Sequence, residues 1–154
     1  MPYSGTDVLT QISELARQGA AGPRFSHLLV LARQQAQGDV VKSALRALVG
    51  YDALISVENS IREAAKSLPR NNPQLAFVVD DTNATVENFS AVIAAFHKAG
   101  FSCPLVFISS RITAQNKLHI LALGALDALH RDEVCGLRLR QCFLKLPAAG
   151  SANT

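Results

Sequence analysis

Two segments decide the fold: Pro73-Gln74-Leu75-Ala76-Phe77-Val78-Val79-Asp80-Asp81 and Pro104-Leu105-Val106-Phe107-Ile108-Ser109-Ser110. In each, a proline leads into a short apolar run rich in Val, Ile and Phe, residues 75–79 and 105–108. A strand covered on both faces is apolar throughout instead of alternating, so both runs read as buried parallel strands. Between them Val86, Phe89, Val92, Ile93 and Phe96 recur at helical spacing, and Gly100 closes the stripe. Strand, helix and strand make a right-handed crossover. Each strand ends in polar groups, Asp80-Asp81 on one and Ser109-Ser110 on the other. Ligands of open α/β sheets bind beyond the carboxyl ends of the strands, so a site in this chain has its edge at Asp80 and Ser109.

The same alternation extends outward from this unit. Phe25-Ser26-His27-Leu28-Leu29-Val30-Leu31 reads as a first strand. A helix starting near Gly38 and Asp39 follows, carrying Val41, Ala44, Leu45, Leu48 and Val49 and ended by Gly50. Residues 53–57 form a short second strand, with Glu58 at its end as a solvated loop residue or as the one further carboxylate that could approach the cleft. Ser60-Ile61-Arg62-Glu63 has the capping-box pattern of a helix start, and Pro69 stops that helix. After the central unit, a helix over 113–123 turns Leu118, Leu121 and Ala122 inward. A fifth strand covers 125–129. The last helix covers 134–146, with Val134, Leu137, Cys142, Phe143 and Leu146 on one face. Strands alternating with helices imply a doubly wound, five-stranded parallel sheet. The expected strand order is 2-1-3-4-5, which sets the ends of strands one and three side by side.

This α/β domain is expected over residues 24–146. Before it, in the segment 1–23, Val8, Ile12 and Leu15 fall at i, i+4 and i+7, with Leu9 and Ala16 beside them and Gly19 after. An amphipathic helix is expected over 6–18, packed on its own domain or on another subunit. Residues 147–154 read by composition as a flexible tail or linker.

Composition excludes several function classes. The net charge of +3 comes from dispersed basic residues with few aromatics and no Trp, which argues against a nucleic-acid face. No apolar run nears the ~20 residues of a membrane span, and the first residues lack the basic and apolar regions of a secretory signal. The three cysteines, Cys103, Cys135 and Cys142, lack metal-ligand spacing and read as reduced thiols in a cytoplasmic protein. The four histidines, His27, His97, His119 and His130, are scattered, and only His130 lies near the expected site. No Gly-rich phosphate loop and no Gly-x-Ser-x-Gly elbow occurs. The second Asp of a haloacid-dehalogenase-type phosphatase is replaced by Thr82.

Over 25–146 the order of elements resembles a response-regulator receiver domain. The resemblance rests on Asp80 ending a strand, on Pro104-Leu105-Val106-Phe107-Ile108-Ser109-Ser110 where the family has its hydroxyl-bearing fourth strand, and on Gly124-Ala125-x-Asp127 leading the fifth. It implies a two-component signalling function, in which Asp80 corresponds to the phosphoacceptor and Ser109 to the residue that reads the phosphoryl group. It also shows departures. The family's Mg²⁺-binding acidic pair falls on Ala32 and Arg33. Its Lys falls on Arg131, or on His130 if the register slips by one. Its Pro falls on Asp132, and its switch aromatic on Ala128.

Phosphorylating a carboxylate gathers negative charge in one cleft, so the transfer depends on Mg²⁺ and fixed cations. Asp80 and Asp81 are the only weak metal candidates, and as strand neighbours they point to opposite faces. Either Arg33 or Arg131 neutralises Asp80, or Asp80 is a strand-end residue that caps the following loop. The expected function is that of a non-enzymatic pseudo-receiver acting by protein–protein contact, without a cofactor and without phosphate switching. Its partners would be a histidine kinase or other signalling protein, or a second copy through the last helix or the N-terminal helix, with no membrane and no direct nucleic-acid contact. The alternatives are a receiver that accepts phosphate at Asp80 with Mg²⁺ and controls an output module, and a small-molecule binder at the crevice between Asp80 and Ser109.

Overall fold

The computed structural model describes residues 26–69, 72–81 and 85–146. The expected N-terminal helix and C-terminal tail lie outside the described residues. Five strands, β1 (His27–Ala32), β2 (Leu54–Glu58), β3 (Leu75–Val79), β4 (Leu105–Ser109) and β5 (Asp127–His130), form one sheet in the order β2-β1-β3-β4-β5. All neighbours are parallel. This is the doubly wound architecture expected from the sequence. The helices are α1 (Gln35–Val49), α2 (Ile61–Ser67), α3 (Val86–Lys98), α4 (Ala114–Ala122) and α5 (Gly136–Leu144), with a 3₁₀ turn at Arg131–Glu133.

The period of two along each strand divides the core into two layers. Leu28, Val30, Phe77, Val79 and Leu129 point to one side, where Val41, Leu45 and Leu48 of α1 meet Leu139, Cys142 and Phe143 of α5. Leu29, Leu31, Ala76, Val78 and Phe107 point to the other, against Ala64 of α2, Phe89 and Phe96 of α3, and Ile120 of α4. Phe89 packs edge-on against Phe107 with centroids 4.8 Å apart, which ties α3 to β4.

Local signals set the helix starts. Ser60 Oγ accepts from the Glu63 N–H at 3.1 Å, and Thr85 Oγ1 accepts from Asn88 N–H at 3.1 Å. Thr113 and Asn116 bond reciprocally at the start of α4. At the end of α1, Gly50 takes φ 76°, a left-handed conformation open to glycine at no steric cost.

Two helix faces differ from the sequence expectation. On α4 Leu118 is 69% exposed, while Ile120 is the buried residue. Lys117 turns toward the carboxylate of Asp127 (3.8 Å), so the inward stripe runs through 117 and 120. On α5 Leu137 is 52% exposed and Leu139 is buried. The 3₁₀ turn and the extended Cys135 interrupt the chain before Gly136, so Val134 and Leu137 do not share one helical phase. α1 starts at Gln35, earlier than expected.

Candidate functional site

The carboxyl ends of β1, β3, β4 and β5 deliver Arg33, Asp80 and Asp81, Ser110 and Arg131 to one edge of the sheet. Val79 pairs with Ala32 and with Ile108, and Ser109 pairs with His130. The Asp80 N–H extends the ladder by donating to Ile108 O at 3.1 Å, which sets Asp80 beside Ser109. Asp80, Arg33, Leu31, Ser60, Val78 and Asn88 line a crevice of about 240 Å³ on the α2 and α3 side.

Asp81 joins a different set of partners. Its Oδ1 accepts from the Ser110 N–H at 2.7 Å. Its Oδ2 accepts from Arg131 Nη1 at 2.6 Å and from Gln37 Nε2 at 3.0 Å. One carboxylate thus ties the first turn of α1, the turn after β4 and the turn after β5 to the end of β3. Burial alone would raise the Asp81 pKa, but the Ser110 N–H and the Arg131 guanidinium outweigh it and hold the group below its ordinary value. Arg131 had been expected opposite Asp80; its ion pair is with Asp81. No pattern in the sequence points to this pair, since the partners lie 50 residues apart.

The remaining expected site residues are committed to packing or turns. Ala32 is buried at the end of β1. Gly38 of α1 comes so close that a Cβ placed there would lie 2.7 Å from Val57 Cγ1 and 3.1 Å from Ala32 Cβ. The helix lies directly on this position, and a carboxylate in place of Ala32 would have to displace it. Ser109 is fully buried, and its Oγ accepts from the Arg111 N–H at 3.1 Å. Ala128 is buried in the α2–α4 layer, where its methyl has no rotamer to change. His130 Nδ1 accepts from Asp132 N–H at 3.0 Å, and Glu133 Oε1 accepts from His130 N–H at 2.7 Å. These bonds make His130 and Asp132 parts of the 3₁₀ turn. Glu58 stays at the end of the edge strand β2, paired with Leu31. Among the described residues no three His, Cys, Asp or Glu side chains converge as a metal site. Mg²⁺ prefers octahedral oxygen donors with one or two carboxylates. At this edge Ala32 is packed under α1, Arg33 lies in the crevice beside Asp80, and Asp81 is bonded to Arg131.

A second carboxylate, Asp127 on β5, is completely buried. Arg138 Nη1 and Lys145 Nζ each lie 2.9 Å from its Oδ2. The Ala128 N–H donates to Oδ1 at 2.8 Å, and the Cys142 thiol donates to Oδ2 at 3.4 Å. Burial opposes its charge, but Lys145, Arg138 and the Ala128 N–H lower its pKa to about 2. The same environment pushes the Cys142 thiol up to about 12, chiefly by burial, so it stays protonated. Asp127 is an anchor between β5 and α5. Its signal in the sequence was a lone Asp inside Ala-Leu-Asp-Ala-Leu, followed by basic residues seven apart at 138 and 145. No described helix is long and apolar enough to cross a membrane.

No family model and no curated protein matches the sequence. Solved structures do match. An orphan response regulator of H. pylori is 20% identical, with a TM-score of 0.56 over 81% of this chain and 100% of that one. The signal receiver domain of a DNA-binding response regulator from Colwellia psychrerythraea is 16% identical, with a TM-score of 0.58 over 78% and 96%. A putative CpaE2 pilus assembly protein from Sinorhizobium meliloti is 14% identical, with a TM-score of 0.58 over 77% and 98%. With the strand order and the two helical layers, these likenesses establish that the chain has the fold of response-regulator receiver domains.

Proposed function

We propose that this chain is a receiver-like signalling domain that works by protein–protein contact and is not switched by phosphate. The observation that carries the reading is the Asp81–Arg131 pair. Arg131 stands where the receiver resemblance puts its phosphate-reading cation, and its guanidinium is bonded at 2.6 Å to a carboxylate of its own chain. The carboxylate also bonds Gln37 and Ser110, so the loops a phosphoryl group would draw together are already tied. The closed packing of Gly38 over Ala32 supports the same reading, because a carboxylate there would have to move α1. The domain then has no reaction to catalyse and presents fixed surfaces in the cytoplasm to a histidine kinase, another signalling protein or a second copy. A phosphorylatable receiver is the second reading. The register that sets Asp80 beside Ser109 favours it.

The two readings separate on incubation with acetyl phosphate and Mg²⁺, quenched at intervals and followed by intact mass. The proposal expects no phosphoryl adduct. An adduct that disappears in Asp80→Asn would overturn it in favour of the second reading.

A further inference from the structure

The outer strand β2 has the properties of a pairing edge. It stands outside β1 in the sheet order. The Leu54 N–H donates to Ser26 O at 2.8 Å, so residues 54, 56 and 58 turn their peptide groups toward β1, and Ile55 and Val57 turn theirs outward. Sheet edges are commonly blunted by Pro, Lys or a bulge. Leu54-Ile55-Ser56-Val57-Glu58 has no Pro and no Lys, and its register with β1 runs unbroken from Leu54 to Glu58. Leu54, at its start, is 56% exposed.

The strand is also complementary to itself. Laid antiparallel on a second copy about a two-fold axis at Ser56, Ile55 stands opposite the second copy's Val57, and the reverse. Both residues have outward peptide groups, so each such pair exchanges two hydrogen bonds, and β-branched neighbours pack well across strands. Glu58 then faces Leu54, and no like charges meet.

The helix above the edge carries a matching charge pattern. α1 packs on β1 and β2 together. Arg46 Nη1 donates to Gly50 O at 2.9 Å and to Ala53 O at 2.6 Å, so its flank of α1 lies toward β2. Asp39 and Lys42 share that flank at helical spacing, and with Ser43, Ala47 and Tyr51 they line a shallow groove along it. A helix astride β1 and β2 stands two strand spacings, about 10 Å, from its copy across the axis, which is the upper end of the roughly 8–10 Å between packed helices. The heights agree as well. A Cβ built on Gly38 would lie 2.7 Å from Val57 Cγ1, which sets residue 38 level with Val57. One strand step down, to Ser56, corresponds to about two helical residues. The axis therefore meets α1 near residue 40, where Asp39 faces the second copy's Lys42 and Lys42 faces its Asp39.

We propose that β2 pairs antiparallel with β2 of a second copy of this chain, about an axis at Ser56, to make one continuous sheet clamped by the Asp39–Lys42 cross-pairs. The partner surface is thus the β2 edge and α1, away from the last helix. The contact does not depend on whether Asp80 accepts phosphate, so its test and the acetyl phosphate test fail separately.

The test is sedimentation equilibrium of the full chain from micromolar to submillimolar concentration, where a concentration-dependent dimer is expected. Asp39→Lys or Lys42→Asp alone sets like charges together twice per dimer and is expected to weaken association about tenfold. The double variant Asp39→Lys, Lys42→Asp restores the cross-pairs and is expected to recover it. A dimer that ignores the single changes, or that the double variant does not recover, overturns the proposal. So does a chain that stays monomeric, and slow amide exchange at Ile55 and Val57 in that monomer would assign the edge to another segment of the same chain. Ser56→Cys with the exposed Cys135 replaced by Ser checks the register. The two Ser56 positions form a non-hydrogen-bonded pair with Cα atoms about 4.5 Å apart, inside the roughly 4.4–6.8 Å that a disulfide spans. Mild oxidation is expected to give a covalent dimer. No cross-link in a sample that sediments as a dimer places the contact elsewhere and overturns the proposal.

Discussion

Arg131 and Asp81 form the ion pair that closes the carboxyl end of the sheet, 2.6 Å apart and 50 residues apart in sequence. The same carboxylate holds the Ser110 N–H and Gln37, so β3, β4, α1 and the turn after β5 meet at one group. In a receiver-like fold this is the region that would rearrange around a phosphoryl group. Here a resident carboxylate holds it.

Asp81→Asn and Arg131→Gln are each expected to lower stability by about 1 kcal/mol, the scale of a charge-assisted bond that is partly open to water. Their effects should not add. A double-mutant cycle by urea unfolding is expected to show a coupling of roughly 0.5–1 kcal/mol. Additive losses would mean that the pair does not hold the loops. Faster hydrogen exchange at the Ser110 amide in Asp81→Asn checks the same contact locally.

Asp127 is expected to dominate the acid response. Its folded pKa of about 2 lies below the ordinary 3.8. A depressed carboxylate pKa stabilises the fold above the unfolded value, and the contribution is lost as pH falls through the folded one. Stability should therefore hold above about pH 5 and lose about 2 kcal/mol between roughly pH 4 and pH 2. Urea midpoints across that range measure it. In Asp127→Asn this part of the slope should vanish, with a cost of about 3–5 kcal/mol at neutral pH for leaving Arg138 and Lys145 without their carboxylate.

Gly38→Ala tests the closure of α1 over Ala32. An alanine normally favours a helix interior by about 1 kcal/mol over glycine. Here its methyl would meet Val57 Cγ1 at 2.7 Å and Ala32 Cβ at 3.1 Å. Net destabilisation of about 1–2 kcal/mol is expected from the overpacking. A stabilised variant would show that the position has room to spare.

The fold was legible in the sequence because the strands 75–79 and 105–108 are uniformly apolar and the helices between them carry glycine stops and polar caps. Asp80 and Ser109 were legible as strand ends for the same reason. The Asp81 network was not, because a strand-end pattern does not say which of two adjacent aspartates turns toward a residue 50 positions away. The inward faces of α4 and α5 were misread at Leu118 and Leu137. A buried carboxylate at Asp127 draws Lys117, Arg138 and Lys145 toward β5, and a hydrophobic stripe alone does not register that pull.

The most direct test of the central claim is the backbone amide NMR spectrum with and without Mg²⁺ and beryllofluoride, a phosphoryl mimic. The account predicts that the resonances of Asp80, Ser109, Ser110 and Arg131 stay where they are, because Asp81 already holds the cation and the loops. Shifts clustered on those residues and carried into β5 and α5 would contradict it and restore a phosphate switch at Asp80.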